Sequence, residues 1–159
     1  MAVIRIVTGD LMNATEDIIA HQVNCMGVMG AGVAKQIRDA YPKVYEVYKK
    51  RCEECKDKVI WLLGECQLVV APRKQGGVSV IANIFGQLSY GRNRKFTYES
   101  CFESAIMSLA QQAHEIHATS IAMPYKIGCG LGGGDWEKIY KIIEEELGDF
   151  DVTLYKLED

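Results

Sequence analysis

Apolar positions along this chain change their period several times, and each change marks an element. Residues 2–7 alternate well enough to form a first strand, which ends at Thr8-Gly9-Asp10. The run 18–23 (Ile18-Ile19-Ala20-His21-Gln22-Val23) is almost continuously apolar, the pattern of a strand covered on both faces. From Ala31 to about Lys50 the positions Val33, Ile37, Ala40, Val44, Val47 and Tyr48 follow helical spacing, and Pro42 divides the stretch into two helices in series. Residues 65–71 and 78–85 read as two strands joined through Pro72 and Gly76-Gly77, a hairpin. Phe102, Ala105, Ile106, Leu109, Ala113 and Ile116 mark a helix with Thr97 as its N-cap. A short strand at 120–124 follows. Asp135 then caps a helix carrying Trp136, Ile139, Tyr140, Ile143 and Leu147, and residues 152–157 form the last strand.

Strands alternating with helices, with one hairpin between them, predict an α/β fold whose mixed sheet has helices on both faces. Ligands of such sheets sit beyond the carboxyl ends of strands, at helix N-termini. Two glycine clusters occupy that kind of place. The first lies in Asn24-Cys25-Met26-Gly27-Val28-Met29-Gly30-Ala31-Gly32-Val33-Ala34, between a strand and a helix. The second is Gly128-Cys129-Gly130-Leu131-Gly132-Gly133-Gly134, between a strand ending in Pro124 and the helix capped by Asp135. Free N–H groups of a first helical turn and the helix dipole make such a place an anion site. The spacing matches neither the dinucleotide fingerprint nor the P-loop. Each cluster alone is also explained as a tight turn without a ligand; their agreement favours a ligand.

Composition narrows the class. A chain of 159 residues makes one domain, taken here as 1–159, and buries roughly 68–70% of its unfolded surface without staples. With 48% hydrophobic and 25% charged residues it reads as a soluble globular protein. A net charge of −3 supplies no global field for polyanions, so there is no strong nucleic-acid signature and any anion must be met locally. Six cysteines (25, 52, 55, 66, 101 and 129) form no disulfide-like framework, and no signal peptide or membrane-length run is seen. These features lead to the expectation of a cytoplasmic monomer with free thiols and no membrane partner. Cys52-x-x-Cys55 would need two more ligands to hold zinc, with His114 and His117 the obvious candidates, so no metal and no cofactor are expected.

Three blocks carry a family resemblance: Thr8-Gly9-Asp10-Leu11; Val23-Asn24-Cys25 with Met29-Gly30-Ala31-Gly32-Val33-Ala34; and Met123-Pro124-Tyr125-Lys126-Ile127-Gly128-Cys129-Gly130-Leu131-Gly132-Gly133. In this order and spacing the chain resembles a macro domain over nearly its whole length. Its likeness is to the compact branch with ADP-ribose 1″-phosphate phosphatases, terminal ADP-ribose hydrolases and DNA ADP-ribosyl glycohydrolase antitoxins. The resemblance implies a three-layer α/β/α sandwich and an ADP-ribose site. Asp10, with Leu11 beside it, would present a buried carboxylate to the adenine amino group, or serve only as a turn cap. Asn24 would contact the distal ribose or tie down its turn. Gly30, Ala31, Gly32 and Val33 would hold one side of the diphosphate through main-chain donors. Gly128, Cys129, Gly130, Leu131, Gly132 and Gly133 would wrap the other side.

Two departures bear on chemistry. Lysine-dependent hydrolases of this resemblance carry a lysine just after the strand that here ends near Phe85, where this chain has Gly86-Gln87-Leu88. Some also carry an aspartate directly after Gly-Cys-Gly-Leu; here that residue is Gly132. A covalent lysine route lacks both groups at the matching positions. The remaining candidates for catalysis are Asn24 and His21, the latter weighed against a plain core histidine. Gln87, Ser89 and Tyr90 are candidates to close over the ribose, with Arg92, Arg94 and Lys95 as a basic rim. The expected function is ADP-ribose binding with removal of a group from the distal ribose, ADP-ribose 1″-phosphate first. The alternatives are a non-catalytic reader, and a hydrolase acting on ADP-ribosylated protein carboxylates or DNA bases.

Overall fold

The computed structural model describes residues 3–72, 76–90, 97–129 and 133–157. Its sheet has six strands: β1 (Ile4–Thr8), β2 (Ile18–Gln22), β3 (Cys66–Pro72), β4 (Val78–Ile84), β5 (Ser120–Pro124) and β6 (Asp151–Lys156). Their spatial order is β1-β6-β5-β2-β4-β3. Only β3 and β4 run antiparallel, in register from Cys66 opposite Ile84 to Pro72 opposite Val78. The expected hairpin is therefore present, although Arg73, Lys74 and Gln75 at its turn lie outside the described residues.

Helices α1 (Gly32–Ala40) and α2 (Pro42–Glu54) cover one face, and α3 (Glu99–Glu115) with α4 (Trp136–Glu146) cover the other. Alternate residues of one strand go to opposite cores: Ile18 and Ala20 join the α3–α4 side, Ile19 and Val23 the α1–α2 side. This is why four of the six positions of the run 18–23 are apolar, His21 and Gln22 being the exceptions. The division of the helical stretch falls at Tyr41 (φ −135°, ψ 75°), and Pro42 takes the first position of α2, where its missing N–H costs nothing. The second helix runs on to Glu54, past the expected end at about Lys50, which sets Cys52 on its buried side.

One expectation fails at α3. Thr97 does not cap it; Tyr98 holds the N-cap position without a side-chain bond. Thr97 pairs with Gln87 in an isolated bridge, and its hydroxyl donates to the Gly128 carbonyl at 2.9 Å. Its side chain is thus spent on tying β5's turn to the segment after β4. Asp135 caps α4 as expected, accepting from Glu137 N at 3.1 Å.

The sheet also explains where a crevice opens. β5 and β6 stay paired from Ser120 opposite Asp151 to Pro124 opposite Tyr155. β2 and β5 pair only at Ile18 with Ile121 and Ile19 with Ala122. Beyond Ile19 the two central strands part, and their carboxyl ends flank a gap. Among the described residues, no helix is long and apolar enough to cross a membrane.

Candidate functional site

A cavity of about 580 Å³ fills that gap. Its walls come from the end of β2 (His21, Gln22 and Asn24), the start of α1 (Gly30 to Ala34), and the turn after β5 (Pro124 to Gly128), with Gln87 and Tyr90 at the side. Both glycine clusters therefore reach the same cavity. This is the crevice at the carboxyl ends of parallel strands that the strand–helix alternation predicts.

At α1 the helix starts from Ala31 with no side-chain cap, so its first N–H groups stay available at the cavity wall. Gly32 begins the helix with φ +60°, a value that a side chain makes costly. Opposite, Gly128 (φ +79°) lines the cavity, and its carbonyl accepts from Gly134 N at 2.8 Å as well as from Thr97. A Cβ at Gly128 would sit 2.9 Å from the Gln22 Oε1 atom. Glycine is needed here twice, for backbone sign and for side-chain approach.

Gln22 links these parts. Its Nε2 donates to Thr97 Oγ1 at 2.9 Å and to Gln87 Oε1 at 3.0 Å, joining β2 to the segments after β4 and before α3. Asn24 is buried, and its carboxamide is engaged with its own turn. Nδ2 donates to Val28 O at 2.8 Å, while Oδ1 accepts from Met26 N at 2.9 Å and from the Tyr48 hydroxyl at 2.7 Å. Of the two roles open to Asn24 in sequence, this geometry displays the turn-tying one; the residue itself lines the cavity. Tyr48 itself is fully buried, and burial pushes its phenol well above the usual range.

His21 is buried to 1% exposure and lines the cavity. Nε2 lies 2.7 Å from Asn83 Oδ1, and Asn83 Nδ2 donates to Gln67 Oε1 at 2.9 Å. Desolvation brings the imidazole pKa down to about 4, with the Asn83 bond opposing. The ring is therefore neutral at physiological pH. Cys25, at the start of the first glycine cluster, has its thiol pushed up to about 12 by burial and is no ready nucleophile.

Asp10 departs from its expected setting. Its carboxylate is exposed, not buried, and Oδ1 accepts from Met12 N at 2.9 Å, capping the short turn Leu11–Asn13. The reason is local: the chain turns directly after β1, and the acid takes the free amide of that turn. Leu11 is 4% exposed and packs in the α1–α2 core. Neither residue lines the cavity, although Gly9 N bonds Lys156 O at 2.9 Å and Tyr125 N bonds Tyr155 O at 2.9 Å, fixing the Asp10 turn beside the β5 turn. Cys129 and Gly133 flank the second loop; Gly130, Leu131 and Gly132 lie outside the described residues, as do Arg92, Arg94 and Lys95. Lys126 lines the cavity with φ +57°, its ammonium 5.7 Å from the Tyr125 ring centroid.

Sequence reasoning missed Tyr48, Gln22, Asn83 and Thr97 as parts of the site. Tyr48 fitted the helical stripe and so read as packing. The other three owe their roles to bonds that span 31 to 75 residues, a relationship that local spacing does not display.

A family model described as Macro domain matches residues 20–143. A DNA ADP-ribosyl glycohydrolase of Thermus aquaticus is 30% identical over 145 residues, 91% of this chain and 38% of the relative. The chain spans about 40% of the length of the mycobacterial proteins of the same name. An ADP-ribose 1″-phosphate phosphatase of Meyerozyma guilliermondii is 26% identical over 167 residues, 91% of this chain and 94% of the relative. Among solved structures, the macrodomain of Mycobacterium tuberculosis DarG superposes with a TM-score of 0.80 at 26% identity, over 98% of each chain. With a match that runs from the middle of β2 into α4, and with the mixed sheet and two-loop crevice already described, this chain belongs to the Macro domain family.

Proposed function

We propose that the cavity binds ADP-ribose and that the protein hydrolyses a group from its distal ribose, ADP-ribose 1″-phosphate being the first substrate. The observation that carries this reading is the convergence of two loops on one cavity at the carboxyl ends of β2 and β5. The start of α1 offers unpaired amides to a diphosphate, with no lysine or metal required. Gly30, Ala31, Gly32 and Val33 form one jaw, and Gly128 at the opposite wall belongs to the other. Asp10 serves the adenine end; its exposed carboxylate can accept from an amino group while still capping its turn. Support also comes from the phosphatase relatives, which match this chain over nearly their full length.

Catalysis rests on placement. The loops hold the diphosphate, and Asn24, braced by Tyr48, fixes the shape of the turn that faces the ribose. His21 stands at the wall with its ring neutral. In the reaction a water oxygen bonds to phosphorus, the bond from phosphorus to the ribose oxygen breaks, the water's proton passes by way of a substrate phosphate oxygen to that ribose oxygen, and ADP-ribose and inorganic phosphate leave. Orientation of this kind contributes several kcal/mol.

A second reading, removal of ADP-ribose from a DNA base, is favoured by the glycohydrolase relatives, which include the 30% identical one. Calorimetry with ADP-ribose tests what the readings share: no heat at millimolar ligand sinks both. Phosphate release from ADP-ribose 1″-phosphate, measured beside ADP-ribose release from a modified DNA oligonucleotide, separates them. Binding without either product would make the protein a reader.

A further inference from the structure

His21, Asn83 and Gln67 stand in one row across three strands: His21 is opposite Asn83 in β2–β4, and Asn83 is opposite Gln67 in β4–β3. All three side chains project to the α1–α2 side, the side of Ile19, Ile81 and Val69. The row is hydrogen-bonded along its length, Gln67 Oε1 accepting from Asn83 Nδ2 at 2.9 Å and Asn83 Oδ1 meeting His21 Nε2 at 2.7 Å. At its inner end one atom is left over. His21 Nδ1 is buried with no hydrogen-bond partner, on a residue that lines the cavity.

We propose that Asn83 and Gln67 are positioning residues that fix His21 as the Nε2–H tautomer, leaving Nδ1 a standing acceptor that takes a hydrogen bond from a sugar hydroxyl of the ligand. A carbonyl oxygen only accepts, so the proton shared with Asn83 Oδ1 belongs to Nε2. A neutral imidazole carries one ring proton, so Nδ1 presents its lone pair. An unpartnered polar atom in a buried wall costs stability unless something bound satisfies it. A lone pair repels phosphate oxygens and welcomes O–H. The β2 end of the cavity therefore takes the sugar, and the diphosphate goes to the amides of α1.

This deepens the ADP-ribose reading in naming the hydroxyl's owner, but its first half stands apart from that reading. The test is nitrogen-15 NMR of the histidine rings at neutral pH, with assignment by His21→Gln. In the wild-type protein His21 should show a protonated Nε2 and an unprotonated Nδ1. Gln67→Leu, at a half-buried position, should free the Asn83 carboxamide to turn and give a mixture of tautomers. A proton on Nδ1 in the wild-type protein, or a tautomer unmoved by Gln67→Leu, overturns the relay. Saturating ADP-ribose should then shift the Nδ1 resonance upfield as it accepts a bond. If calorimetry detects ADP-ribose and Nδ1 does not move, the contact is wrong and the binding stands. If ADP-ribose does not bind, the functional reading falls, and the spectra of the free protein still decide the relay.

Discussion

The Tyr48 hydroxyl lies 2.7 Å from Asn24 Oδ1 and 2.8 Å from the Asn24 carbonyl oxygen, so a helix residue on the far side of the core braces the turn at the cavity mouth. Its ring is stacked with Phe85, centroids 5.8 Å apart, at the end of the strand that lies beside β2. The turn's shape is thus set from below, by packed aromatic side chains, rather than by the exposed loop.

Removing that brace should be felt in two measurements. Tyr48→Phe keeps the ring packing and deletes one donor, so urea unfolding should show a loss of about 1 kcal/mol. Calorimetry should show weaker ADP-ribose binding, because the turn loses its anchor. Unchanged affinity with lowered stability would mean that the Asn24 turn is structural only.

Asp10→Ala should weaken ADP-ribose by roughly 1–3 kcal/mol if the carboxylate meets the adenine amino group. The capped turn is short and exposed, so the change in melting temperature should be small beside the change in affinity. An affinity that stays put would leave Asp10 as a turn residue.

His21 makes stability depend on pH. Its folded pKa, about 4, lies below the ordinary value of 6.5, so between these values the unfolded chain binds more protons. Its contribution is fully present above about pH 6.5, falls as pH is lowered towards 4, and amounts to about 3 kcal/mol when lost. Denaturation across this window should show the slope in the wild-type protein and a flatter curve in His21→Gln. Parallel curves would remove His21 as the cause.

The Gly128 position should reject any side chain. Gly128→Ala places a Cβ 2.9 Å from Gln22 Oε1 at a backbone with φ +79°, so thermal unfolding should show a loss on the order of 1–3 kcal/mol. Adding Gln22→Ala relieves the collision and not the backbone strain. The double variant should therefore lose less than the sum of the two single variants, and full additivity would contradict the contact.

Much of the fold was legible because it rests on period: the continuous run at β2, the hairpin at β3 and β4, the break at Pro42 and the cap at Asp135 are all local signals. The site was legible in its main-chain parts for the same reason, since glycine clusters at strand ends announce themselves. Its side-chain parts were not. Thr97 looked like a cap because threonine before a helix usually is one, yet tertiary bonds to Gln22 and Gly128 claimed its hydroxyl. Asp10 looked buried because it ends a strand, but it ends an edge strand, where the turn faces water. The row from His21 to Gln67 depends on strand order and register, which no single stretch of sequence encodes.

The early parting of β2 from β5 makes the site's opening a feature of the sheet's wiring. Two strands bonded only at Ile18 and Ile19 leave a cleft whatever loops are hung around it. The frame that admits a ligand and the fittings that choose it are thus separate inheritances. Loops at this rim can be exchanged, and specificity redrawn, while the aperture beneath stays the same.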